Sequence, residues 1–169
     1  MMCIYIYILM IVQVNKKIFS DTGGIYILSM KPNETIFKIG LSINLMKRLS
    51  SYHTCFPNGY YIRGVIILEK YKKPYEELTK SQKLKAGARI RKFEHAVHHK
   101  LLLMGKRYGV ASSVSEWVNC SLDLIEQTCK EVSNEILKKR LAVNKVNAVP
   151  NIILNMNHAK YGVNVPKKV

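Results

Sequence analysis

Apolar positions follow two different periods along the chain, and the switches between them mark the elements. Ile25-Tyr26-Ile27-Leu28 is an unbroken apolar run behind Gly23-Gly24, which reads as a short buried strand. Lys31-Pro32-Asn33-Glu34 is a turn cluster, and Ile36-Phe37-Lys38-Ile39-Gly40 is a return strand, so residues 24–40 predict a β-hairpin. Ser42 or Asn44 then caps a segment in which Leu45, Leu49 and Tyr52 recur at helical spacing. Pro57-Asn58-Gly59 breaks the chain before a third strand over residues 60–69, rich in aromatic and β-branched side chains. Residues 70–82 are polar and read as a loop or mobile insert. Ala86, Ile90, Phe93, Val97, Leu101 and Met104 step by threes and fours, which predicts a long helix over residues 83–104 that stops at Gly105. Residues 115–118 read as one more short strand. Ser121 then caps a second long helix to about residue 141, its stripe made of Leu122, Ile125, Cys129, Val132 and Ile136.

The order β-β-α-β-α-β-α predicts an α+β fold, a small antiparallel sheet of about three to four strands flanked by helices. Residues 21–141 form the folded domain in this reading. Residues 1–20 are an apolar N-terminal extension and residues 142–169 a basic, Asn-rich C-terminal tail. The opening run MMCIYIYILMIVQV is shorter than the roughly 20 residues a spanning helix needs, and it lacks the basic start of a signal peptide. Its alternating Ile and Tyr residues are β-prone, and no function is assigned to it.

Charge changes the picture more than composition does. Lys and Arg number 27 against 11 Asp and Glu, a formal charge of +16 on 169 residues. With 48% hydrophobic residues the chain can still build a core. So strong a surplus on a foldable chain points to a polyanionic partner, and nucleic acid ranks above an anionic membrane surface. Residues 70–107 hold twelve basic and three acidic side chains, a local surplus of +9. The four cysteines (Cys3, Cys55, Cys120, Cys129) show neither a disulfide framework nor zinc-ligand spacing, which predicts free thiols in a reducing, intracellular compartment rather than a secreted protein.

Gly24-Ile25-Tyr26, Lys38-Ile39-Gly40 on the paired strand, Arg48 on the next helix, Glu94 on a later one and Glu116-Trp117-Val118 stand in a fixed order. In that order the chain resembles the GIY-YIG nuclease superfamily over about residues 23–137, and most closely its phage- and large-DNA-virus-type DNA-binding branch. The resemblance implies a metal-dependent endonuclease that hydrolyses phosphodiester bonds in DNA. Its alternative is a DNA-binding module on the same fold that does not cut. Tyr26 would be the general base as its phenolate, which at neutral pH needs nearby positive charge because free tyrosine titrates near 10. Lys38, which stands where the superfamily's name expects tyrosine, would supply that charge or take the proton. Arg48 offers a planar fork of donors for phosphate. Glu94 would hold a divalent cation, Mg²⁺, and Tyr52 would lie one helical turn from Arg48 near the leaving group. No small-molecule cofactor is expected.

Singly, each of these residues also fits a structural role: a core tyrosine at 26, an Arg48–Glu94 ion pair, a turn glycine at 40. Around Glu94, His95 and His99 lie one turn apart, as do Glu94 and His98. Either pair has transition-metal spacing, but a solvated face is the plainer reading, and His98 is expected to orient Glu94. Lys38, Arg48, Lys83, Lys85, Arg89, Arg91 and Arg107 are the expected nucleic-acid contacts, with the helical ones spread around the helix rather than on one stripe. Tyr71 and Tyr75 in the insert are candidates for stacking on bases. The target and the oligomeric state are not specified by the chain.

Overall fold

Alternation of buried side chains along the hairpin sends its two faces to two separate cores. The computed structural model describes residues 19–30, 34–55, 60–106, 108, 116–143, 151–154 and 160–161. Strand β1 (Thr22–Ser29) is wholly buried and central. It pairs antiparallel with β2 (Ile36–Ser42) on one side and β3 (Tyr60–Lys70) on the other, and β2 carries the short edge strand β4 (Trp117–Asn119). This gives the antiparallel α+β sheet that the sequence predicts. Beyond it, the backbone of β5 (Asn151–Leu154) and β6 (Lys160–Tyr161) pairs with β3, giving the order β4-β2-β1-β3-β5 with β6 also on β3. Residues read from the sequence as a tail thus extend the sheet.

Helix α1 (Leu45–Cys55) covers one face. There Tyr26, Leu28, Leu45, Leu49, Tyr52, Tyr60, Ile62 and Val65 form one core. Helices α2 (Lys80–Leu103) and α3 (Leu122–Val143) lie over the opposite face, where Ile25, Ile27, Phe37 and Ile39 meet Ile90, Phe93, Val97, Ile125 and Val132. The centres of both predicted helical stripes are buried as expected, whereas Leu122 and Ile136 are half-buried and Met104 is exposed. Helix α2 also ends where the sequence places its stop, with Gly105 at φ +68°, a left-handed value that suits glycine.

Helix α2 starts three residues before the predicted point. Thr79 accepts from the Gln82 amide at 3.2 Å and Gln82 accepts from the Thr79 amide at 2.9 Å, a reciprocal cap hidden in a stretch whose polarity reads as loop. The insert before it is tied down. Tyr71 N donates to Asp21 O at 2.8 Å, Tyr75 N to the Asp21 carboxylate at 2.9 Å, and the Tyr71 hydroxyl to Ile43 O at 2.8 Å. Asp21 holds both from a left-handed φ of 56°, a conformation Asp tolerates better than most residues. Leu78 is buried just ahead of the cap. Both tyrosines of the predicted stacking pair are half-buried in this ordered insert. The Tyr71 and Tyr75 rings lie 6.2 Å apart, and Lys83 Nζ sits 4.7 Å over the Tyr75 ring.

Candidate functional site

Tyr26 and Gly40 are direct partners in the β1–β2 register, so both face α1. The Tyr26 ring lies flat across Gly40: a Cβ added there would come within 2.4 Å of the Tyr26 hydroxyl oxygen. Gly40 is mid-strand, so close approach of a ring, and not a turn, explains the glycine. The Tyr26 and Tyr52 hydroxyls share a hydrogen bond of 2.6 Å, their rings meeting edge-on at 5.7 Å. Tyr60 packs edge-on against Tyr52 at 5.9 Å and donates to Leu49 O at 2.6 Å, which fixes that turn of α1. The helix is placed by Asn44, whose side-chain oxygen accepts from Lys47 N at 2.9 Å. Arg48, one turn before Tyr52, is exposed, and its charge reaches Tyr26.

Lys38, expected to supply positive charge to Tyr26 or to take its proton, is already paired. It forms an ion pair with Glu116 and lies 5.8 Å over the Trp117 ring, because Lys38 and Trp117 are partners across β2 and β4. Burial, then the bond to Tyr52 and the charges of Tyr52 and Glu116, push the Tyr26 phenol far above its ordinary value, and Arg48 opposes them without winning. Tyr26 is thus held as a neutral phenol, and the charge expected to ionise it is spent on a carboxylate. Glu116 appears in the sequence only as part of a motif. Its place at the cleft comes from the β2–β4 pairing, in which Ile39 N donates to Glu116 O at 2.8 Å.

Glu94 sits on the sheet side of α2 and is only 7% exposed. It lines a cleft of about 780 Å³ with Glu116, Arg91, His95 and His98. Among the described residues its oxygens meet only two charge partners, His98 Nε2 at 3.6 Å and His95 Nε2 at 3.7 Å, both beyond hydrogen-bond length. Arg48 is not one of them, so no structural Arg48–Glu94 pair forms. His98 places Nε2 3.0 Å from Ile39 O, which pins its ring beside Glu94. Burial raises the Glu94 carboxyl, His98 and then His95 lower it, and Glu116 raises it again. Glu116 therefore acts electrically on both Tyr26 and Glu94.

Among the described residues no cluster of three or more His, Cys, Asp or Glu side chains is placed to hold a metal. That leaves the His95 and His99 spacing without a third ligand. Glu94 alone, a hard oxygen donor without a protein hydrogen-bond donor in reach, fits a cation that keeps most of its water, as Mg²⁺ does.

A second concavity, of about 1070 Å³, adjoins the cleft and shares Leu41, Arg91 and His95 with it. Arg48, Lys80, Lys83, Arg91 and Lys92 line it. Of the expected nucleic-acid contacts, Arg48, Lys83 and Arg91 are brought together here. Lys85 points elsewhere. Arg89 is clamped by both oxygens of Glu69, one bond at 2.8 Å, and Lys38 is spent on Glu116. Arg107 lies outside the described residues. Lys80 and Lys92 join the group; the i,i+3 offset of Lys80 from Lys83 is the signal that would have found Lys80.

A buried carboxylate in a cleft that adjoins a groove of cations, on a two-cored α+β sheet, defines a domain suited to phosphate-rich polymers. The sequence profile of the T5orf172 domain matches residues 23–133. The chain belongs to the T5orf172 domain family, a phage-associated domain of an endonuclease-related group, which carries a nuclease-like or DNA-binding role. No curated protein and no solved structure matches the chain. Among the described residues no helix is long and apolar enough to cross a membrane.

Proposed function

We propose that the protein is a metal-dependent endonuclease of GIY-YIG type, hydrolysing phosphodiester bonds in DNA. The observation that carries this reading is Glu94: a carboxylate 7% exposed that lines a cleft with Arg91, three histidines and a second carboxylate, Glu116, where simple binding of phosphate gains nothing from negative charge. Glu94 would hold Mg²⁺, which when bound supplies Lewis-acid stabilisation of the phosphate and the leaving oxygen. Arg48 orients a non-bridging phosphate oxygen and neutralises charge as it builds. The Tyr26–Tyr52 pair serves the attacking water without a preformed phenolate. Tyr26 accepts the water's proton as its own moves to Tyr52, and Tyr52 releases one outward. His98 keeps Glu94 in place, and Lys38 becomes available to phosphate once Glu116 lets go of it.

The test is nicking of supercoiled plasmid in Mg²⁺ by the wild type, Glu94→Ala and Arg48→Ala. Each substitution is expected to slow cutting by about 10²-fold or more while DNA binding persists. Undiminished cutting by Glu94→Ala would remove this site. A second reading, a DNA-binding module without catalysis, draws support from the neutral Tyr26 and the Lys38–Glu116 pair. It requires salt-sensitive binding with no cutting under any divalent ion.

A further inference from the structure

Helix α2 separates its charges more than its sequence suggests. Its groove-facing positions recur at 80, 83, 84, 87, 88, 91, 92 and 95, one continuous helical stripe. Cations occupy both ends of that stripe, with Lys80 and Lys83 at one and Arg91 and Lys92 at the other. Between them stand the exposed Leu84 and the small residues Gly87 and Ala88. A Cβ added at Gly87 would meet the Ile43 side chain at 3.4 Å, so Ile43 packs beside the helix at that point. Arg48, from α1, faces the stripe across the groove.

None of the five groove cations has a carboxylate partner among the described residues. Among the described residues, Lys38, Arg89, Lys100 and Lys130 are ion-paired, whereas Arg48, Lys80, Lys83, Arg91 and Lys92 are in no ion pair. Lys83 rests on the Tyr75 ring, which positions its ammonium without neutralising it. Five like charges held along one groove repel one another, and that arrangement favours a polyanion.

We infer that this groove seats the phosphate backbone of the nucleic-acid strand flanking the bond held at Glu94. The direction of the path rests on the proposed phosphodiester chemistry; the ligand itself does not. Lys80 and Arg91 are eleven residues apart, about 16 Å along a helix. At about 3.4 Å of axis per nucleotide of one strand, that spans roughly five phosphates. The five cations match such a stretch, and the small side chains at Gly87 and Ala88 leave room for the strand between them. Contacts of this kind hold register and carry no base sequence. The described domain thus grips DNA by its backbone.

The experiment measures affinity against salt, without divalent ions, for fluorescent duplex and single-stranded DNA of one sequence. It compares the wild type with Lys80→Gln/Lys92→Gln and with a control of equal charge change outside the groove, Lys72→Gln/Lys85→Gln. The groove pair is expected to flatten the slope of log affinity against log salt by about 1.8 on duplex and about 1.4 on single strands. Its deficit relative to the wild type therefore shrinks about tenfold on duplex between 50 and 200 mM salt. The control pair is expected to change the slope by well under half as much. Equal changes in both pairs, or none in either, overturn the assignment. So does groove-dependent binding of phosphatidylserine vesicles by a protein whose DNA affinity the same pair leaves intact. Glu94→Ala, included throughout, keeps the two proposals apart: it abolishes cutting while retaining the full slope if both stand. A flattened slope with no cutting by any form leaves the groove in place and removes the nuclease.

Discussion

Substituting Gly40 with Ala tests the placement of Tyr26 without touching a side chain of the site. The new Cβ would stand 2.4 Å from the Tyr26 hydroxyl oxygen, 2.6 Å from the carbon bearing it and 2.8 Å from the neighbouring ring carbon. Ordinary contact begins near 3.4 Å, so the ring must retreat by about 1 Å. Retreat breaks the 2.6 Å bond to Tyr52, because Tyr52 is buried between Tyr26 and Tyr60 and has no room to follow. Overpacking of this kind costs about 1–3 kcal/mol and a lost buried hydrogen bond about 0.5–1.5. Replacing a strand glycine by alanine returns about 0.5–1. The net expectation is a loss of about 0.5–4 kcal/mol in urea unfolding, with plasmid nicking reduced beyond what the loss of folded protein explains.

A double-mutant cycle isolates the cause. Tyr26→Ala removes the ring that the new methyl would strike, so Gly40→Ala should then be neutral or slightly stabilising. If Gly40→Ala costs the same in both backgrounds, the clash lies elsewhere and Gly40 does not exist for Tyr26.

Two further predictions concern the insert and the helix it leads into. Burial, then the Glu69 charge, push the Tyr71 phenol up to about 12. Its contribution to stability is complete below the unfolded value near 10. It is lost as pH rises from 10 toward 12, where the unfolded chain ionises and the folded one does not. Urea unfolding at about pH 9 and about pH 11 should show that loss in the wild type and much less of it in Tyr71→Phe; identical losses would discard the assignment. Thr79→Ala removes the reciprocal cap of α2 and should cost about 1 kcal/mol, lowering Tm by roughly 2–4 °C in a thermal melt.

The elements are legible in the sequence because each has a clear period and a stop. The unbroken apolar run of β1, the return strand β2, the stripe from Ala86 to Leu101 and the Gly105 terminus all reappear in the fold. What escapes is whatever depends on two distant segments meeting. The Lys38–Glu116 pair joins residues 78 apart in the chain, and only the register of β4 on β2 brings them together. The motif order identifies Tyr26, Arg48, Tyr52 and Glu94, and the hydroxyl pair and the Glu94 cleft follow their expected elements. Ionisation is a different matter. An isolated motif says which residue types surround Tyr26, but not that the nearby lysine is already neutralised. The charge surplus over residues 70–107 likewise hides a division between cations that are paired and cations that line a groove.

Helix α2 carries both the cation-lined groove and Glu94, and that makes it a ruler. Lys80 and Glu94 are fourteen residues apart, about 21 Å of rigid rod, with no joint between the place that would be gripped and the place that would be cut. Deleting one residue between them would shorten the rod by about 1.5 Å but turn its far end by about 100°. Glu94 would then leave the cleft altogether. After Thr79 the spacing is therefore fixed, because the rod offers no place to absorb an insertion or a deletion.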